Sequence, residues 1–250
     1  MFKFWIKTFL YYFLPIHLRY LYKYRDLNYI HEIDKHPVRF KHYGKGGWSQ
    51  EEKQEFTYRD YTDYNEYITH QKQKFNEIIR IEGGFTFRLI AKYRLRFYDR
   101  FRYLPKFLSK NAEILCAGAR QGTEVEVLRD IGYHKAYGID LNPGPNNKYV
   151  QIGDFMHLKN ADSSLDMVYS NCLDHAFDLD AFFKEHARVI KPNGFALYEI
   201  SLGGGGAFET VQWKSISSVQ NLMLKHFKKI IMTKIKNQWK WMLLFGKKNP

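Results

Sequence analysis

Two cysteines in 250 residues are too few for a disulfide framework. Cys116 and Cys172 each fall in or beside an apolar strand-like run, so both are expected as reduced core thiols, the state of a cytosolic protein. The ten histidines form no cluster with zinc-like spacing, and no metal site is expected. The chain also lacks a Gly-x-Ser-x-Gly nucleophile elbow and a phosphate-binding P-loop. Long apolar runs are missing as well. Residues 1–30 are aromatic and basic, but Lys7, Pro15, His17 and Arg19 break them up, and no stretch of about 18 uncharged residues remains to span a membrane. No small-residue cleavage site follows, so no signal peptide is expected. The expected location is the cytoplasm, with residues 1–30 either lying in a membrane interface, which would make the protein peripheral there, or packed on the protein's own core.

Acidic charge is scarce at both ends. The formal net charge is +13, but residues 1–110 hold 22 Lys+Arg against 12 Asp+Glu, residues 111–205 hold 8 against 13, and residues 206–250 hold 9 against 1. A slightly acidic centre between basic flanks suggests an anionic partner: a phospholipid surface, a phosphorylated glycan or a nucleic acid. The same lysines also serve plain solubility.

The pattern divides the chain at about residue 110. Residues 36–50 read as loop, with Ser49 and Glu52 forming a capping box for a Tyr-rich polar helix from Gln50 to about Ile81. Gly83-Gly84 breaks that helix, and Phe85 to Leu108 reads as a second, basic and aromatic helix ended near Pro105. From Glu113 strands and helices alternate, with strands at 113–117, 135–140, 148–152, 165–170 and 194–201 and helices at 123–131, 177–190 and 213–226. This implies a parallel sheet covered on both faces. Residues 228–235 and 239–248 are strand-like with three residues between them, too few for a crossover, so they are expected to pair antiparallel.

The richest stretch is Glu113–Leu141, EILCAGARQGTEVEVLRDIGYHKAYGIDL. An apolar strand enters a Gly-bearing turn, a helix follows, and a second strand ends in Asp140, 22 positions after Gly118. That spacing sets a nucleoside on the turn with its ribose hydroxyls at the carboxylate. The Gly-x-Gly-x-x-Gly spacing that seats a pyrophosphate is absent. Thr123 and Glu126 read as a capping box fixing the helix start.

Residues 111–250 resemble the class I S-adenosylmethionine (SAM)-dependent methyltransferases. LCAGARQG aligns with that family's Gly-x-Gly-x-Gly turn through Gly118 and Gly122, with Arg120 at the middle glycine and Cys116 at the usual acidic position. The run at 164–200 follows the family's order in register. The resemblance implies a Rossmann-like, seven-stranded, mostly parallel α/β sheet with an antiparallel C-terminal hairpin, preceded by a helical, basic, aromatic extension over residues 1–110. It implies SAM held by Gly118, Ala119, Arg120, Gly122, Asp140, Leu141, Asp154, Phe155 and Asn171, with Asp154 taking the adenine amino group and Phe155 packing on the ring. Arg120 either pairs with the cofactor carboxylate or is a solvated turn residue. Asn171, Asp174 and His175 follow the fourth strand at the edge where parallel sheets present ligands. His175 is the candidate base, with Asp174 orienting it or binding the acceptor. Glu199 and Ser201 are expected at the same edge, and Gly203–Gly206 as a hinged lid or a surface loop. The expected activity is methyl transfer from SAM to an unidentified acceptor, a glycan or small molecule at a membrane surface. The alternatives are a nucleic-acid methyltransferase using the basic flanks, a nicotinamide oxidoreductase, and a non-catalytic SAM-binding or structural protein.

Overall fold

The computed structural model describes residues 48–53, 55–82, 87–201, 208–236 and 239–248. In chain order these form β1 (Trp48–Lys53), β2 (Phe56–Arg59), α1 (Tyr64–Glu82), α2 (Phe87–Phe101), β3 (Ile114–Ala117), α3 (Thr123–Ile131), β4 (Tyr137–Asp140), β5 (Val150–Ile152), β6 (Leu165–Ser170), α4 (Leu179–Val189), β7 (Ile190–Ser201), β8 (Val211–Trp213), α5 (Ile216–His226), β9 (Phe227–Lys236) and β10 (Trp239–Lys247). Short 3-10 turns cover Leu104–Lys106 and Leu173–His175. The arm at 1–30 and the glycine run at 203–206 lie outside the described residues.

The main sheet has seven strands in the order β5-β4-β3-β6-β7-β10-β9. Strands β5 to β7 pair parallel, while β10 runs antiparallel to both β7 and β9. The expected α/β sheet and its terminal hairpin are therefore present. Period-two alternation sorts the side chains onto two faces. Leu115, Val168, Ala196, Tyr198, Met242 and Leu244 join one apolar cluster with Phe182 and Phe183 of α4 and Val219, Leu222 and Met223 of α5. Ile114, Cys116, Met167, Tyr169, Leu197, Trp241 and Leu243 join the other with Phe97 and Phe101 of α2 and Val125, Val127 and Leu128 of α3. Both cysteines are free, and Cys116 is buried in the second cluster.

Four local expectations are corrected. Residues 48–59 form a hairpin, not the start of a helix capped by Ser49 and Glu52. β2 pairs with β8 in a second, three-stranded sheet, and this pairing across some 150 residues overrides the local capping pattern. The helix expected from Gln50 starts at Tyr64. Thr123 and Glu126 form no capping box, because Gly122 holds the N-cap position at φ +85° and Thr123 is already inside α3. Glu126 instead pairs with Arg94, tying α3 to α2, and Arg94 also holds Asp130. The strand expected at 194–201 begins earlier, at Ile190, with an irregular start where the register against β6 shifts between Leu165 and Met167.

Candidate active site

At the carboxyl ends of β3, β4 and β6 the chain leaves the sheet in three loops that share one cleft. The first loop explains the missing middle glycine. Gly118, Arg120 and Gly122 have φ of +77°, +48° and +85°, so Arg120 takes the left-handed conformation that glycine adopts most easily. The turn is closed by Gly118 and Ala119 N–H donating to the Ile139 carbonyl at 3.0 and 2.9 Å. A Cβ at Gly118 would lie 2.3 Å from Cys172 Sγ and 3.5 Å from Phe155 Cδ1, so only a bare backbone fits between those side chains.

Asp140, at the end of β4, accepts from Arg120 N–H at 2.8 Å and from Asn142 N–H at 2.9 Å, one on each oxygen. A carboxylate offers about four lone-pair positions, so each oxygen keeps one for a ligand hydroxyl. Gly118, Arg120, Asp140, Leu141, Asn142 and Phe155 line the same side of the cleft. Ala119, Asn171, Asp174, Glu124 and Trp239 line an adjoining cavity of about 210 Å³. His175, Lys74, Cys172, Gly118 and Arg120 border both. Phe155 is wedged edge-on against Phe182, which fixes its ring.

Two of the residues expected at the cofactor do not line either cavity. Gly122 is buried below the turn, where a Cβ would meet Val150 at 2.7 Å. Asp154 turns toward α1 and accepts from Tyr64 Oη at 2.5 Å and from Met156 N–H at 2.8 Å, with His157 Nδ1 at 3.3 Å. A ligand amino group reaching that carboxylate would have to displace the Tyr64 hydroxyl.

The largest departure from the sequence reading is α1. Tyr67, Gln71 and Lys74 recur at i, i+4 and i+7, so they share one face of the helix. Tyr67 Oη donates to the His175 carbonyl at 3.0 Å, Gln71 Nε2 donates to the Phe208 carbonyl at 2.8 Å, and Lys74 Nζ lies 2.6 Å from His175 Nε2. His175 Nδ1 faces the Phe208 carbonyl at 2.7 Å. A carbonyl only accepts, so Nδ1 carries the hydrogen and Nε2 presents its lone pair to Lys74. Burial, then the Lys74 charge, holds the His175 imidazole well below its ordinary range, so it is neutral. Burial pushes Lys74 down to about 8, with Arg120 reinforcing it and Asp174 opposing it. Burial likewise raises Glu124 to about 8 and Glu209 to about 7, the latter helped by Asp174. Asp174 is itself raised by burial against the pull of Lys74. Cys172 is pushed up to about 12, mainly by burial, and is no nucleophile at neutral pH.

The wall opposite α1 comes from α2 and β10. Arg96 and Arg100, one helical turn apart, stack over Trp239 and Trp241 with centroid distances of 3.9 and 4.0 Å. Beneath them Glu199 is fully buried, with Arg96 Nη2 at 2.8 Å, Arg100 Nε at 3.2 Å and Tyr169 Oη at 2.7 Å. Burial alone would raise the Glu199 carboxyl, but the two guanidiniums overcome it and hold the group below its ordinary range. Glu199 therefore anchors the wall from below instead of facing the cleft.

Residues 115–198 match the family model for a methyltransferase domain. The same fold recurs in solved structures, all at low identity. A protein from Pyrococcus horikoshii shares 19% identity at a TM-score of 0.56, covering 68% of this chain and 99% of that one. The Burkholderia thailandensis 1,6-didemethyltoxoflavin-N1-methyltransferase, solved with its substrate and S-adenosylhomocysteine, shares 14% at 0.58, covering 82% and 100%. The chain has the fold of the class I methyltransferases. A putative methyltransferase from Haloferax volcanii, in complex with the Trm112 activator, shares 14% at 0.57, covering 72% and 99%. No curated protein sequence matches the chain. Of the residues read from sequence, the cleft brings together Gly118, Ala119, Arg120, Asp140, Leu141, Phe155, Asn171, Asp174 and His175. Sequence reading missed Lys74, Gln71, Arg96, Glu124 and Trp239. For Lys74 the only available signal was the Tyr67–Gln71–Lys74 stripe, polar groups continuing an aromatic face.

Proposed function

We propose that this chain transfers a methyl group from SAM to an acceptor carrying an ionisable hydrogen. The observation that carries the reading is the pairing of the left-handed Gly118–Arg120–Gly122 turn with the Asp140 carboxylate across one cleft. The lining suits the cofactor: the bare backbone of Gly118 leaves room for the amino-acid end, with Asp140 and Leu141 for the ribose and Phe155 for the adenine. When bound, SAM supplies an electrophilic methyl carbon on a sulfonium. The chain's own residues then work mainly by positioning, because in-line displacement needs the acceptor held close and aligned. Asn171, Asp174 and His175 border the side from which an acceptor enters, and Arg96 on Trp239 stiffens the facing wall.

The basic flanks favour an anionic acceptor or surface. Lys228, Lys229, Lys234 and Lys236 are exposed on β9, the outermost strand, where they also discourage edge-to-edge pairing. Among the described residues no helix is long and apolar enough to cross a membrane. An acceptor at a membrane surface, a lipid-linked or surface glycan, therefore remains our reading of partner class, with steep salt dependence on RNA or DNA as the outcome that would redirect it. Equilibrium dialysis against S-adenosylhomocysteine and NADH tests the cofactor class. Micromolar binding of the first alone is expected, and binding of NADH alone would overturn the reading.

A further inference from the structure

Lys74 brings a cation to the centre of the cleft, between its two cavities. Lys74 reaches it from α1, outside the family-model match at 115–198, and borders both cavities. Among the described residues its amino group makes no ion pair with a carboxylate. Its nearest recorded partner is the lone pair of a neutral imidazole, locked in place because His175 Nδ1 is committed to the Phe208 carbonyl and the His175 carbonyl to Tyr67. This arrangement uses one N–H of Lys74 and leaves the rest of the amino group to the cleft. A neutral amine so held presents its own lone pair away from His175.

We propose that Lys74 is the proton acceptor of the methyl-transfer step and that His175 is its positioning residue. The proposal rests on the SAM reading above. In the step, the acceptor's nucleophilic atom bonds the methyl carbon, the carbon–sulfur pair stays on sulfur, and the acceptor's proton passes to Lys74 Nζ. Positive charge is conserved: the sulfonium charge disappears as an ammonium charge appears. The cleft thus holds one of the two cations at a time. SAM, which carries the sulfonium, selects the neutral amine, while S-adenosylhomocysteine, whose sulfur is uncharged, tolerates the ammonium.

The charges that bear on Lys74 come from every side. Asp174, Cys172 and Glu209 favour its ammonium and Arg120 opposes it. Glu124, Asp140 and Arg96 line the same cavities, and His70 lies one turn before Lys74 on α1. Burial already brings Lys74 to about 8, within reach of neutral pH. Glu124 and Glu209 titrate nearby, at about 8 and about 7, so the diagnostic quantity is the difference between the two ligands, not either profile alone.

The test needs no knowledge of the methyl acceptor. Calorimetric titrations of the full chain with SAM and with S-adenosylhomocysteine are run from pH 6.5 to 9.5. A group near 8 that must be neutral in the complex weakens binding about tenfold at pH 7 relative to its plateau. The ratio of the SAM to the S-adenosylhomocysteine dissociation constants is therefore expected to fall about tenfold between pH 7 and pH 9. Proton release specific to SAM at pH 7 should appear as a dependence on buffer ionisation enthalpy. In Lys74→Met, S-adenosylhomocysteine still binds, which certifies the fold, and the ratio becomes flat. A wild-type ratio independent of pH, or one unchanged in Lys74→Met, overturns the proposal while leaving the SAM reading intact. Failure of both ligands to bind wild type overturns the SAM reading, and the proposal with it.

Discussion

Glu199→Gln isolates the buried charge under the cleft wall. In the wild type the carboxylate is fully buried against Arg100, whose side chain is 4% exposed, and Arg96, at 21%. The amide keeps the volume and an acceptor for Tyr169, but it removes the carboxylate shared by two enclosed guanidiniums, leaving Arg100 only Asp99, at 3.6 Å. Breaking one partner out of a buried ion cluster typically costs about 3–5 kcal/mol, because the remaining charges stay desolvated. For a chain of this size that corresponds to a melting temperature lower by roughly 6–20 °C. The assay is urea unfolding at pH 7 followed by far-UV circular dichroism. The pH dependence has a definite sign. The folded Glu199 carboxyl lies below its ordinary value of 4.5, so its contribution is complete above that value and fades as pH falls through the folded one. The gap between wild type and Glu199→Gln should therefore be constant above about pH 5 and close in acid. Replacing the cluster with Glu199→Leu, Arg96→Met and Arg100→Met together should leave stability near the wild-type value, since apolar packing often equals a buried ion cluster. A Glu199→Gln cost under about 1 kcal/mol at pH 7 would refute the reasoning.

Two further outcomes follow from the geometry. Gly118→Ala should weaken S-adenosylhomocysteine binding by about tenfold or more at modest cost in stability, because φ +77° disfavours any Cβ and this one meets Cys172 Sγ. Adding Cys172→Ala should relieve only the contact, so recovery of full binding in that double variant would contradict the backbone argument. His186 is buried, packed at a tilt against the Phe182 ring and bonded to Tyr198 Oη at 3.1 Å, and burial pushes it down to about 3. The unfolded chain takes up that proton below about pH 6.5, so wild type should lose stability as pH falls from there, with a slope steeper than that of His186→Phe by up to about 1.4 kcal/mol per pH unit. Parallel slopes would show that His186 is charged in the fold.

What the sequence revealed depended on how local the cause was. Strands β3 to β7 follow from short apolar runs that alternate with helical stretches, and the final hairpin from a connection too short to cross over. The hairpin at 48–59 was read as helix because Ser49 and Glu52 mimic a capping box, whereas its stabilising partner β8 lies some 150 residues away. Thr123 and Glu126 misled in the same way: Gly122 at φ +85° occupies the cap, and Arg94 claims Glu126. In the site, Gly118 and Asp140 were legible because a βαβ unit fixes their separation. Arg120 looked like a defect in the motif, but its φ of +48° shows that it takes the backbone shape the missing glycine would supply. Lys74 was not legible, since it meets His175 across 101 residues and only the packing of α1 over the cleft joins them.

The central claim is that Asp140 and the Gly118 turn form a SAM site. Its most direct test is calorimetric titration of wild type and Asp140→Ala with S-adenosylhomocysteine, with thermal unfolding run on both. Charge-assisted hydrogen bonds contribute about 1.5–3 kcal/mol, so the variant should bind at least about tenfold more weakly while still unfolding cooperatively. Equal affinity in the two proteins would remove Asp140 from the site and contradict the account.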